Sequence, residues 1–275
     1  MSWLELLLIP LGFAVGAYGT IVGAGGGFVL VPILLIIYTD EDPVTITSIS
    51  LIVVFLNALS GSAAYARLRR IDYLAGGAFA VAALPGAIGG ALFVHRVPRD
   101  VFDAIFGALL LAVAAYTIWS VGRPAIMRPP VRGRFVVNRE MPADEGGVFR
   151  YSYNLLHGAL FSVGIGFISS LFGIGGGVIL VPAMINVLRF PVHIATATSQ
   201  FALMFMSGEG SAVHLVNGDL AGENAVRALL ISAGAIPGAQ IGARIAQRFG
   251  GTAIARLLAV ALVVVGARLL YGAFA

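Results

Sequence analysis

Long apolar runs, separated by short polar or glycine-rich stops, occupy almost the whole of this chain. A helix needs about 20 apolar residues to cross the roughly 30 Å hydrocarbon core of a bilayer. Runs of that size predict helices near 3–22, 45–66, 74–94 and 102–121, then again near 152–172, 194–215, 224–246 and 253–274. Two of these runs do not stop: apolar sequence resumes at 26–38 after the first and at 176–188 after the fifth. As one helix, residues 3–38 would measure about 54 Å at 1.5 Å per residue, too long for a single crossing. Each such stretch must bend, re-enter or cross twice. Between the two sets lies Gly122 to Arg150, whose Pro129-Pro130 and Gly146-Gly147 predict a loop and no folded domain. The expected organisation is a first membrane repeat at 1–121, an Arg- and Pro-rich linker at 122–151, and a second repeat at 152–275.

The pattern is duplicated in detail. Gly23-Ala-Gly-Gly-Gly-Phe-Val-Leu-Val-Pro32 returns as Gly173-Ile-Gly-Gly-Gly-Val-Ile-Leu-Val-Pro182. Pro43-Val-Thr-Ile-Thr-Ser-Ile-Ser50 aligns with Pro191-Val-His-Ile-Ala-Thr-Ala-Thr198, Gly61-Ser-Ala-Ala64 with Gly210-Ser-Ala-Val213, and Leu84-Pro-Gly-Ala87 with Ile236-Pro-Gly-Ala239. Four blocks in one order, offset by 148 to 152 residues, mark an internal duplication. Each repeat then has about four helices, the first broken or re-entrant at its G-x-G-G-G. Broken helices in matching positions of two halves are the best sequence pointer to a transporter's binding site.

Composition settles the solvent. Hydrophobic residues make up 59% and charged residues 11%, against about 25% charged in soluble domains. The expected fold is therefore an all-α polytopic membrane protein. All 17 basic residues are arginines, clustered between apolar runs, so the net charge of +4 reflects topology and no nucleic-acid partner is expected. Those arginines also orient the chain. If each broken stretch goes in and comes back, 13 arginines fall inside and Arg96, Arg99, Arg227 and Arg268 fall outside; single crossings divide them 11 to 6. The repeats are thus expected to be inverted, with linker 122–151 cytoplasmic and Asp40-Glu41-Asp42 external. The N-terminus lacks a basic n-region and reads as a retained helix. Without lysine there is no Walker A P-loop, and without cysteine there is no disulfide or thiol chemistry.

Candidate chemistry centres on the glycines. Helices starting at 28 and 178, directly after the triple glycines, present N–H groups without partners and a positive dipole end. Gly25, Gly26, Gly27, Gly175, Gly176 and Gly177 could together form an anion site needing no buried cation. The competing reading is close packing of small residues between membrane helices. Hydroxyls follow each break: Thr45, Thr47, Ser48 and Ser50 in the first half, Thr196, Thr198 and Ser199 with the amide of Gln200 in the second. They could donate to an oxyanion, or cap and back-bond their own helices. Asn57 is the comparable polar intrusion in the first half. Glu209 lies deep in an expected span, where an ionisable group is a functional hypothesis by default. Glu209 and His214 are the proton-coupling candidates; otherwise Glu209 could pair with His214 or Arg244. Gly86, Gly89, Gly90, Gly238 and Gly242, beside Pro85 and Pro237, read as packing surfaces first and hinges second. His157, His193 and His214 lack metal-ligand spacing, so neither metal nor cofactor is expected. An intramembrane hydrolase using Ser207 or Ser211 with His214 is conceivable at helical spacing but lacks an acid to orient the histidine.

The duplicated glycine–Leu-Val-Pro blocks and eight-helix length resemble the TauE/SafE family of sulfite exporters, across essentially the whole chain apart from 122–150. The resemblance implies a carrier in the bacterial plasma (inner) membrane for sulfite, organosulfonates or thiosulfate. The family's motifs fall on Gly23 and Gly25 to Gly27 with Pro32, and on Gly173 and Gly175 to Gly177 with Pro182. Its Thr-Ser falls on Thr198-Ser199, with Ser50-Leu51 at the aligned place in the first half. The function expected is a secondary transporter, not an enzyme. It would export a small sulfur-containing anion by alternating access, with protons as a candidate coupling ion. An uptake permease or passive channel for the same anions is the alternative.

Overall fold

The computed structural model describes residues 3–39, 41–121, 134–142 and 147–274. Expectations placed on Asp40, on residues 122–133 and on Gly146 lie outside them. The first half comprises α1 (Trp3–Leu6), α2 (Leu8–Val22), α3 (Gly27–Ile37), α4 (Pro43–Arg67), α5 (Tyr73–Phe93), a 3₁₀ turn at Val94–Arg96, and α6 (Arg99–Val121). The second comprises α7 (Leu155–Phe172), α8 (Gly177–Asn186), α9 (Val192–Asn217), α10 (Glu223–Ala246) and α11 (Gly251–Phe274). Between them stand two strands, β1 (Val136–Pro142) and β2 (Val148–Asn154). Among the described residues, six helices are long and apolar enough to cross a membrane: α4, α5, α6, α7, α10 and α11. Helix α9 is as long, but Gln200, Glu209 and a series of hydroxyls make it more polar.

Helix ends follow local chemistry. Asp42 caps α4 by accepting from the Thr45 N–H at 2.8 Å, with Pro43 supplying a preset φ at the first position. Asp72 caps α5 and Asn154 caps α7 in the same way. The two breaks use glycine instead. Gly23, Gly25 and Gly26 have φ of 74°, 74° and 86°, and Gly173, Gly175 and Gly176 have 68°, 75° and 82°. A side chain is strained in that region, which ends α2 and α7 and restarts the chain as α3 and α8. Helices of 11 and 10 residues reach only about 15–17 Å, half a membrane. The chain folds back at each turn: Tyr18 packs on Phe28, and the Leu188 side chain reaches the start of α7 at Gly158.

The two halves are interleaved. Helix α2 lies along α10, and α7 along α5, so the broken helix of each half packs on the other half. Glycines permit this. A Cβ at Gly12 would stand 1.9 Å from the Ile231 carbonyl oxygen, and one at Gly234 1.9 Å from that of Ile9. Cβ atoms at Gly86 and Gly90 would likewise collide with the Val163 and Phe167 carbonyl oxygens. Gly238 and Gly242 make the same approach to α2, whereas Gly89 meets only the Phe167 ring at 3.5 Å. Backbone contact of this kind replaces the hydrophobic drive that lipid removes. Helices α4 and α9 cross at the centre, and α6 pairs with α11 through Gly107 and Gly266.

At one end of the bundle, the Arg99 guanidinium collects the carbonyls of Leu35, Tyr38, Thr39 and Glu41. Arg227 pairs there with Glu41 at 2.7 Å and lies over the Tyr38 ring. The strands close the opposite end, where the sequence predicts only loop. They pair antiparallel, Val136 opposite Asn154 and Pro142 opposite Val148. Helix α7 accordingly starts at Leu155, after the strand, where the sequence predicts a start near 152. Alternation in Val148-Phe-Arg-Tyr-Ser-Tyr153 turns Tyr151 and Tyr153 inward onto Phe190, with ring centroids 4.8 and 4.6 Å away. The surrounding arginines, prolines and glycines hide that alternation in the sequence.

Candidate functional site at the paired glycine turns

The two glycine turns lie against each other in the interior. A Cβ at Gly27 would stand 2.7 Å from the Gly173 carbonyl oxygen, and one at Gly177 2.5 Å from Ala24 Cα. Gly25 and Gly175 both face the side chains of Val54 and Leu203, one from each central helix. Neither α3 nor α8 has a side-chain cap. Two positive helix ends therefore meet in a buried setting, with N–H donors left over at each.

The expected hydroxyls divide into groups. Those of Thr47, Ser48 and Thr196 donate to carbonyls of their own helices, at 2.8 Å to Pro43, 2.8 Å to Thr45 and 3.1 Å to His193. Ser48 and Thr196 therefore offer no hydroxyl to the turns, although the Thr196 backbone packs on Gly23. Ser50 reaches across to the second turn and donates to the Gly173 carbonyl at 2.6 Å. Thr198 accepts from the Asp72 N–H at 3.0 Å and ties α9 to the start of α5. The Ser199 hydroxyl and Gln200 Oε1 are buried without a partner. Gly173 packs on Thr47 as Gly23 packs on Thr196, an offset of 149 residues. Ser50 therefore corresponds to Ser199, one place from the alignment that matched it to Thr198; the helical register overrides the Pro43–Pro191 match.

Asn57 belongs to a polar knot beside the first turn. Its Nδ2 donates to the Gly25 carbonyl at 3.1 Å and approaches Thr20 Oγ1 at 3.3 Å. Gln200 Nε2 donates to the same Thr20 hydroxyl at 3.3 Å, and the Tyr65 phenol donates to the Thr20 carbonyl at 2.8 Å. Tyr65 is thus buried at the knot. Sequence reading missed Thr20; its signal was a hydroxyl one turn before the break. It also missed Asp72. That carboxylate, buried at 2% exposure, accepts from Arg139 Nη2 at 3.0 Å, the Tyr151 phenol at 2.9 Å and the Tyr153 phenol at 3.2 Å. Burial first, and then the Asp72 charge, push both phenols above their ordinary value. The hydrogen bond to Asp72 raises the Arg139 guanidinium.

Glu209 Oε2 is buried with no partner. The expected pairing with His214 is not formed. His214 Nδ1 instead meets Asp219 at 2.7 Å, and His95 meets the same carboxylate at 3.1 Å. Ser211 and Ser207 donate to the carbonyls of Ser207 and Leu203, so neither is paired with His214 for nucleophilic attack.

Apolar helices of spanning length wrapped around two buried half-helix turns define a multi-pass α-helical membrane protein. The family model for the sulfite exporter TauE/SafE matches residues 8–269, and the chain belongs to that family. It is 31% identical over 272 residues to the probable membrane transporter protein YunE of Bacillus subtilis, covering 97% of each chain. A probable membrane transporter protein of Methanocaldococcus jannaschii is 30% identical over 203 residues, 70% of this chain and 67% of that one. One from Haemophilus influenzae is 26% identical over 266 residues, 96% and 94% of the two. No solved structure matches the chain. The protein is a membrane transporter of the TauE/SafE class.

Proposed function

We propose that this protein is a secondary transporter exporting sulfite, or a related organosulfonate or thiosulfate, across the plasma membrane by alternating access. The observation that carries the reading is the contact between the two glycine turns, which brings two uncapped helix starts together in the interior. Each supplies about half a positive charge and several N–H donors. Gln200 and the hydroxyl of Ser199 add hydrogen-bonding groups close by. Donors without a fixed cation suit a carrier, since a site that binds by dipoles alone can also release. The end of the bundle holding the strands faces the cytoplasm, where the arginine-rich loops belong, and the halves form inverted repeats rocking about the turns. Glu209 takes up the proton that couples export to the gradient, its buried unpartnered oxygen being the motive for this assignment.

The test is efflux from proteoliposomes loaded with sulfite, with sulfate, chloride and taurine in parallel. Sulfite flux above the others, abolished by Gly176→Val with the protein still inserted, is expected. Transport of a larger sulfonate or a carboxylate in place of sulfite would remove the substrate assignment. Wild-type transport in both Gly26→Val and Gly176→Val would remove the site.

A further inference from the structure

The two turns are copies with different surroundings. Gly19 and Thr20 precede the first turn as Ser169 and Ser170 precede the second. At the first there is no room for a side chain: a Cβ at Gly19 would lie 2.2 Å from the Gly26 nitrogen. At the second, Ser169 fills that place, its Cβ 3.2 Å from where a Cβ on Gly176 would stand. A hydroxyl-bearing side chain is therefore inserted between α7 and the N-terminus of α8, and it does not cap that helix.

Hydrogen bonding differs in the same sense. The Thr20 hydroxyl is enclosed by Asn57 and Gln200. At the 149-residue offset, their counterparts are Met206 and Leu51, which offer Ser170 no partner. Ser170 Oγ lies 2.9 Å from where a Cβ on Gly210 would stand, next to Leu51. Ser169 Oγ and Ser170 Oγ are both fully buried and both without a hydrogen-bond partner. Polar groups left so are costly unless a partner arrives. Met206 approaches the same place as Ser169: its Cε lies 3.2 Å from the Gly176 Cβ position. It is an unbranched side chain with three rotatable bonds, able to move aside.

We propose that the transported anion is held chiefly at the second turn, by the hydroxyls of Ser169 and Ser170 with the first N–H groups of α8. The inference rests on the anion-carrier reading and names its subsite and selectivity. The first turn leaves no room for a side chain and its Thr20 hydroxyl is already bonded, so it serves as the fixed wall. Hydroxyl and amide donors make charge-assisted bonds to an oxyanion, but neither serine nor helix start carries a full positive charge to neutralise a second negative one. The favoured substrate class is a singly charged oxyanion with several acceptor oxygens, hydrogen sulfite or an alkanesulfonate, over a dianion such as sulfate.

Concentration-dependent flux of sulfite and methanesulfonate in proteoliposomes, with sulfate as competitor, tests this. Ser169→Ala and Ser170→Ala are each expected to raise KM roughly tenfold, and the double variant roughly a hundredfold, as lost charge-assisted hydrogen bonds should. Ser232→Ala, a buried unpartnered hydroxyl in α10 outside the site, keeps the wild-type KM. Met206→Asn leaves both serines in place but supplies the amide that Asn57 supplies to Thr20, and should weaken binding too. Wild-type KM in the double variant, with flux intact, overturns the subsite while leaving the carrier reading standing. Potent inhibition by sulfate overturns the selectivity. Failure of the wild-type protein to carry any of these anions removes the carrier reading and the inference with it.

Discussion

Replacing Gly177 by alanine separates the contact between the turns from backbone strain. Gly177 opens α8 without the positive φ of Gly175 and Gly176, so alanine is conformationally free there. Its Cβ would nevertheless stand 2.5 Å from Ala24 Cα and 2.7 Å from the Gly23 carbonyl oxygen. Carbon atoms in contact prefer about 3.5–4.0 Å, so the turns must part by about 1 Å. Both partners are backbone, and no rotamer change relieves the clash. Overpacking of this kind costs about 1–3 kcal/mol, enough to lower the unfolding temperature by some degrees without unfolding the protein. The functional loss should be larger, because a displacement of about 1 Å at a binding constellation can cost about a hundredfold in rate. Gly176→Ala is the matched comparison. Its φ of 82° strains alanine by about 1–2 kcal/mol, yet the nearest neighbours of its Cβ are side chains, those of Ile165, Met206 and Ser169, at 3.1–3.2 Å. The assay is sulfite efflux from proteoliposomes beside thermal unfolding in detergent. Gly177→Ala should lose more transport per degree of stability lost than Gly176→Ala. Wild-type kcat/KM in Gly177→Ala would refute the idea that the meeting of the turns is the site.

Three further outcomes are expected. Thr20→Val leaves Asn57 and Gln200 facing a methyl group and should cost about 1–3 kcal/mol, read as a lower unfolding temperature; an unchanged transition would contradict the knot. Asp72→Asn weakens the hold on Arg139, Tyr151 and Tyr153 and should expose β1 and β2 to protease, with an effect of about 1–2 kcal/mol because Arg139 is partly solvated. In the unsubstituted protein, folding favours the neutral phenols of Tyr151 and Tyr153, whose ordinary value is 10.0. Their contribution is complete below about pH 10 and is lost as pH rises through the raised folded values, so tyrosinate absorbance should appear late and together with protease sensitivity. Glu209→Gln should abolish sulfite accumulation driven by a proton gradient while anion exchange at equal pH persists; gradient-driven transport in that variant would remove Glu209 as the coupling group.

Much of the architecture was legible in the chain, because each piece answers to a local rule. Apolar length announced six of the eight expected spans, the run at 3–22 yielding only a 15-residue helix and that at 194–215 being too polar. The triple glycines announced the breaks, since a helix followed by left-handed glycines cannot continue. The carboxylates and amide before Thr45, Ala75 and His157 are ordinary caps. The site was less legible. Thr196 and Ser199 read alike in the sequence, yet one hydroxyl bonds its own helix and the other bonds nothing. That difference depends on which neighbour the helix face meets, three or four residues apart in register.

By itself, then, the sequence determined that the protein lives in a membrane, that it is built twice, and that each copy breaks at the same glycines. Those properties follow from transfer free energy and backbone sterics, which act on a few consecutive residues. Only the tertiary structure decided that α2 pairs with α10 and α7 with α5, that Asp72 anchors a pair of strands, and that Thr20 is satisfied while Ser169 and Ser170 are not. Those outcomes belong to contacts between residues far apart in the chain, such as Thr20 and Gln200, 180 positions apart. There a single methyl or carbonyl from the other repeat determines whether a hydroxyl is bonded or left without a partner.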